Sequence, residues 1–164
     1  MFEKDKNQND IIVQELINSF EIDYIFNDKP LNRFENKPII ENISKNLENL
    51  KSKILNINNC DLKKNAKQIV FNDGNFNSSI MIVGEGPGQK EDEVGKPFVG
   101  DAGQLLNKML SAINIKRESI YITNVVNYRP PNNRKPETAE INRYSEFLRE
   151  HISIIDPKIL ILMG

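Results

Sequence analysis

SSIMIVGEGPG, Ser78–Gly88, joins a short apolar run to a corner crowded with glycine. Ile80–Val83 is continuously apolar rather than alternating, the pattern of a strand covered on both faces. The glycines and Pro87 that follow bend the chain sharply, and a single carboxylate, Glu85, sits among them. Downstream, GKPFVG forms a second Gly/Pro turn around Phe98. DAGQLLNKMLSAI then carries Leu105, Leu106, Met109, Leu110 and Ile113 at helical spacing. Asp101 with Gln104 has the form of a capping box and predicts where that helix starts. SIYITNVV is rich in β-branched residues and predicts a second strand. RPPNNRKP excludes helix and central strand. A helix is predicted from Pro136, with Ile141, Tyr144, Leu148, Ile152 and Ile155 on one face, and KILILMG has the pattern of another buried strand. This strand–helix–strand–helix–strand order predicts an α/β fold of three layers, a parallel sheet with helices on both faces. Such sheets bind ligands beyond the C-terminal ends of their strands. The site is therefore expected at GEGPG and along Asn124–Arg134.

Upstream of this unit, Ile12, Leu16 and Phe20 predict a helix in IIVQELINSFEIDYIF, and NDKPLNRFENKP reads as a polar linker. IIENISKNLENLKSKIL repeats Ile39, Ile43, Leu47, Leu50 and Ile54 with a period near that of the α-helix. QIVF reads as a short strand. The expected organisation is a helical N-terminal extension over residues 1–56 and an α/β domain over residues 57–164. The last predicted strand falls at the end of the chain. That leaves Ile159–Met163 near a sheet edge with unpaired backbone groups, so either another chain covers it or the domain is incomplete.

Composition narrows the class. The 164 residues carry a formal net charge of -1, so no global basic character points to nucleic acid, although a local patch suffices for that. One cysteine, Cys60, excludes an intrachain disulfide and with it a secreted disulfide scaffold. The charged N-terminus is not a signal peptide, and no apolar run approaches the ~20 residues of a membrane helix. The expectation is a cytoplasmic protein with no membrane partner. Phosphate chemistry is disfavoured: GEGPGQ is not GxGxxG, Pro87 removes a backbone donor, and no GK[ST] follows, which excludes a P-loop and argues against a nucleotide-binding Rossmann fold.

GEGPGQKEDEVGKPFVGDAGQLLNKML followed by YITNVVNYRPPNNRKP strongly resembles the family-4 uracil-DNA glycosylases, over about Asn59 to Gly164 and in several ordered motifs. The resemblance implies a uracil-DNA glycosylase-like fold and hydrolysis of the N-glycosidic bond of uracil in DNA, a step of base-excision repair. Such an enzyme takes uracil out of the base stack and reads it in a pocket. Bond cleavage leaves a cationic sugar and an anionic base. By resemblance, Glu85 orients the attacking water and stabilises the cation. Gly84, Gly86, Pro87 and Gly88 form the corner that lets backbone approach the flipped nucleotide. Phe98 matches the stacking ring. Asn124 matches the amide that accepts from uracil N3–H and donates to O4, a pattern that cytosine reverses at both atoms. Taken singly, each has a plainer reading: Glu85 as a solvated turn residue, Phe98 as a core anchor, Asn124 as a partner of nearby backbone. Arg129, Arg134 and Lys135 suit DNA phosphates and suit a solvated loop equally.

The sequence departs from the family in two places. Where family members hold an iron–sulfur cluster on four cysteines, the aligned positions here are Ile57, Cys60, Tyr128 and Tyr144. One thiolate cannot hold such a cluster, so no metal and no cofactor are expected, as in an alphaproteobacterial-type member. Cys60 then reads as a small core residue. The family's fourth strand, with its HPS-like histidine motif, has no counterpart. The single histidine, His151, sits in the LREHISII helix and reads as structural or solvent-exposed rather than catalytic. The chain is accordingly read as lacking the last strand and helix, with uracil-containing DNA as its partner and a separate C-terminal fragment as a further candidate partner. The alternative reading is a non-catalytic remnant or DNA-binding fragment of such an enzyme. PPNNR replaces the usual PPGNR, and Asn132 is expected to take the left-handed conformation.

Overall fold

A computed structural model describes residues 40–163 of the chain. The helix expected around Ile12–Phe20 and the linker after it lie outside the described residues. Nine regular elements follow one another: α1 (Ile40–Leu55), α2 (Asp61–Asn65), β1 (Asp73–Gly74), β2 (Ile80–Gly84), α3 (Gln89–Val94), α4 (Asp101–Ala112), β3 (Tyr121–Asn124), α5 (Thr138–Ile155) and β4 (Ile159–Leu162). Two short 3-10 turns, Arg117–Ser119 and Pro131–Asn133, punctuate them.

The sheet runs β1-β3-β2-β4. β2 is central and parallel to both β3 and β4. The α/β architecture is as the sequence predicts, with one addition: β1 pairs antiparallel to β3 through Asp73 and Gly74. The alternation of side chains along each strand separates two cores. Met81, Val83 and Tyr121 face α1, α2 and α5, where Ile43, Leu47, Leu50, Ile54, Leu62, Tyr144 and Ile155 are buried. Ile82 and Ile122, with Ile120, face the other way onto Leu106 and Leu110 of α4. Helix α1, assigned from sequence to the extension, thus contributes its apolar stripe to the same core as the sheet.

Several local expectations are corrected. Gln68–Phe71 is not a strand: Val70 exchanges bonds with Asn127 (N–H to Asn127 O, 2.8 Å; Asn127 Nδ2 to Val70 O, 3.2 Å), and no ladder extends from them. The capping box at Asp101 does not form; Gly100 is the N-cap and makes no side-chain bond. A capping box forms instead at α5 between Glu137 and Glu140, one residue beyond Pro136. α3 has no counterpart among the sequence-based expectations; its QKEDEV carries no apolar period that would mark a helix. Asn132 does take a left-handed φ of 54°, as does Asn133 at 55°.

At the β4 edge all four residues are exposed, from 38% at Ile161 to 72% at Leu162. Among the described residues no helix is long and apolar enough to cross a membrane.

Candidate active site

The register of β2 and β3 places Gly84 directly beside Asn124. Pairing continues past the strand ends, with Val125 N–H donating to Gly84 O at 2.8 Å and Val126 N–H to Glu85 O at 3.2 Å. The backbone of Glu85 is therefore fixed to the second strand rather than left to wander with the loop. Gly84 shares the α4 face of the sheet with Ile82 by strand alternation, and Asn124 shares it with Ile122.

On that face lies an open cleft of about 410 Å³, lined among others by Glu85, Gly86, Phe98, Leu105, Met109 and Asn124. Its floor requires a glycine. A Cβ on Gly84 would stand 2.4 Å from Asn124 Oδ1 and 2.6 Å from Phe98 Cε2, so the amide and the ring both close over the bare backbone. Asn124 is 3% exposed, and its Nδ2 has no hydrogen-bond partner. A buried amide donor left unpaired costs about 1–3 kcal/mol, so such groups in folded proteins call for a reason. Glu85 is half-buried at the lip, and its carboxylate has no bonding partner among the described residues. Phe98 is half-buried, packs on the Ile82–Ile122 core and has a left-handed φ of 53°.

The sequence-predicted residues are thus brought together at two levels. Glu85, Phe98 and Asn124 line one cleft with Gly86 and Gly88. Pro87 is buried and lines not this cleft but a smaller one, about 150 Å³, together with Arg134 and Lys135. The three cations differ. Arg134 forms a two-pronged ion pair with Glu140 (2.7 and 2.8 Å), and the hydrogen bond from Arg134 holds the Glu140 carboxyl below its usual range. Arg129 Nε donates to Asn133 Oδ1 at 2.7 Å. Lys135 is exposed and makes no ion pair among the described residues.

His151 is remote from the cleft. It is 2% exposed on the opposite face of the sheet, stacked on Phe71 (centroids 4.7 Å apart), with Nε2 sharing a hydrogen bond with Tyr121 Oη at 2.5 Å. Burial lowers its pKa to about 4. Of the two sequence readings, the structural one holds and the solvent-exposed one does not. Ile57, Cys60, Tyr128 and Tyr144 share the α1–α5 core, where Cys60 Sγ lies 3.3 Å from Tyr144 Oη. Burial pushes the Tyr128 phenol up, and its oxygen has no partner. No group of three or more His, Cys, Asp or Glu that could hold a metal occurs among the described residues.

Sequence reasoning missed two residues that touch the Phe98 turn, Glu91 and Arg117. Glu91 sits in a run of charges that looks solvated, and Arg117 lies far away in sequence; neither carries a pattern that betrays burial. Nor did the helical spacing of Leu105 and Met109 tell that they are 60% and 54% exposed along the cleft.

Residues 71–164 match the family described as the Uracil DNA glycosylase superfamily. The chain is 44% identical over 118 residues to the type-4 uracil-DNA glycosylase of Pyrobaculum aerophilum, covering 72% of this chain and 60% of that protein. It is 46% identical over 105 residues to the type-4 enzyme of Thermotoga maritima (64% of this chain, 55% of that protein). It is 41% identical over 118 residues to that of Archaeoglobus fulgidus (72% and 59%). The chain therefore spans little more than half the length of these curated relatives.

Proposed function

The chain belongs to the uracil DNA glycosylase superfamily, and from that premise we propose that it carries out the type-4 reaction, hydrolysis of the N-glycosidic bond of uracil in DNA. The observation that carries this reading is the buried, unpaired Nδ2 of Asn124, an amide whose Oδ1 and the Phe98 ring both crowd the bare backbone of Gly84. A donor held dry and empty-handed beside an aromatic face suits a planar base that brings its own acceptor. Uracil O4 fills that role while its N3–H donates to Asn124 Oδ1. The exocyclic amine of cytosine meets Nδ2 donor to donor. Glu85, at the cleft lip without a partner among the described residues, orients water toward the sugar carbon and stabilises the cation as the bond breaks. Gly86, Pro87 and Gly88 shape the approach of the nucleotide backbone. Lys135 is the cation best free to meet a phosphate, ahead of Arg129 and of Arg134, whose charge Glu140 already answers.

The same proposal covers the finer points. Residues 57–164 form the glycosylase-like domain, with helix α1 packed into it, and a cytoplasmic location follows from the DNA substrate. The chain is of the alphaproteobacterial type, without the iron–sulfur cluster. One thiol, two phenols and an isoleucine do not supply a cluster's ligand set, and Cys60 Sγ already bonds Tyr144 Oη. Purified protein is expected to show neither iron nor labile sulfide; stoichiometric amounts of both would overturn this point.

The test is base release from a uracil-containing single-stranded oligonucleotide by the folded chain. Release that falls by about 10²–10³ in Glu85→Ala is expected. DNA binding without release by folded protein would favour the alternative of a non-catalytic DNA-binding remnant.

A further inference from the structure

Phe98 is the one aromatic side chain that lines the cleft among the described residues, and its backbone is in a conformation that aromatic residues seldom adopt, φ 53°. Such a residue stays there only when its surroundings hold it. The turn can relax by returning Phe98 to an ordinary φ, which would swing the ring away from Gly84 and Asn124. Two ionised side chains oppose that movement. Glu91 Oε1 accepts from Val99 N–H at 2.9 Å and from Gly100 N–H at 2.7 Å. Arg117 donates from Nη2 to Pro97 O at 2.7 Å and from Nη1 to Phe98 O at 3.0 Å. Four successive residues of the turn, Pro97 to Gly100, are thus each held by a charge-assisted bond: the anion takes the N–H groups and the cation takes the carbonyls. Arg117 is itself fixed, by Asp73 Oδ2 at 3.0 Å from Nε and by Asn107 Oδ1 at 3.1 Å. Burial works to raise the Asp73 carboxyl; its bonds to Arg117 and Lys96 outweigh that and hold it below its usual range. Gly103 closes the turn from behind, where a Cβ would come within 1.9 Å of Phe98 O.

We propose that Glu91 and Arg117 are positioning residues that fix the Phe98 ring over Gly84 and Asn124 by clamping the backbone of the Pro97–Gly100 turn. The inference rests on the reading of this cleft as a base pocket. Its distinctive consequence is that both residues act through Phe98 and therefore lose their effect on base release once that ring is gone.

The experiment compares Glu91→Met, which keeps length and removes the acceptor, with Glu91→Gln, which keeps one carbonyl oxygen, each with Phe98 present and in a Phe98→Ala background. With Phe98 present, Glu91→Met lowers single-turnover uracil release roughly tenfold and Glu91→Gln restores most of it. In the Phe98→Ala background Glu91→Met changes release by less than about twofold. Arg117→Lys, which cannot reach both carbonyls and Asp73 together, repeats the Glu91→Met pattern. Equal losses in the two backgrounds would overturn the proposal and leave both residues as general supports of the fold.

A second readout needs no activity. In Glu91→Met the amides of Val99 and Gly100 exchange with solvent about tenfold faster while those of β2 hold. The fluorine resonance of Phe98 in fluorophenylalanine-labelled protein, assigned by its loss in Phe98→Ala, moves in Glu91→Met and stays in Glu91→Gln. Unchanged exchange and an unmoved resonance would sink the clamp. A wild-type chain that releases no uracil yet shows both changes would sink the base-pocket reading and leave the clamp standing.

Discussion

Asn124 is where stability and the proposed activity pull in opposite directions. Its Nδ2 is buried without a partner, a state that costs about 1–3 kcal/mol in the empty protein. Leucine has the same side-chain heavy-atom count and branching as asparagine and has no donor to leave unpaired. Asn124→Leu is therefore expected to raise the unfolding free energy by about 1–2 kcal/mol, read from urea denaturation, while base release falls by at least about tenfold. A protein destabilised by this change would mean that the amide has a structural partner after all, and the argument for a base-reading group would lose its support. No sequence pattern announces that an amide is unpaired: Asn at a strand end most often bonds neighbouring backbone. The resemblance to a family pointed to the residue, and the register of β2 on β3 sets it beside Gly84.

At the scale of elements, what the sequence made legible is what burial writes into a periodic pattern. Continuous apolar runs marked β2 and β4, β-branched residues marked β3, and the 3.6-residue stripe of α1 marked the helix whose Ile43, Leu47, Leu50 and Ile54 are core. Elements whose reason lies in distant partners stayed hidden. β1 is two residues long and exists because Asp73 and Gly74 meet β3; its Gly74 has a φ of 97° and passes too close to Ile120 O for any side chain. α3 was hidden because Glu91 and Asp92 are buried carboxylates, satisfied by backbone N–H groups of Val99, Gly100, Lys67 and Gln68. A charge run ordinarily means solvent, and only the fold tells which charges have been taken inside. The stripe of α4 misled in the opposite direction. Leu106 and Leu110 are core, whereas Leu105, Met109 and Ile113 form an exposed ridge, because helical spacing fixes which residues share a face but not what covers it.

Over the whole molecule, the site face and the opposite face of the sheet carry different kinds of polar group. On the site face, Asn124 Nδ2 and the Glu85 carboxylate have no partner among the described residues. On the far face, His151 ties α5 to the sheet through Phe71 and Tyr121. That lock makes global stability depend on pH in a window that one residue controls, since the chain has a single histidine. Burial lowers the folded-state pKa of His151 from 6.5 to about 4. Between those values the unfolded chain binds a proton that the folded chain refuses, so stability rises with pH, is complete above about 6.5, and is lost as pH falls toward 4. Asp73 and Glu140, whose carboxyls are held low, also lose their contribution on acidification, but below the usual carboxylate range. The interval from pH 7 to pH 5 therefore isolates the imidazole. The unfolding free energy is expected to drop by about 2 kcal/mol across it. His151→Gln, which keeps a partner for Tyr121 Oη and does not titrate, should flatten the profile over the same interval. A wild-type profile already flat between pH 7 and pH 5, or a variant that loses as much as the wild type, would mean that the imidazole is hydrated in solution and that α5 is held to the sheet by its apolar stripe alone.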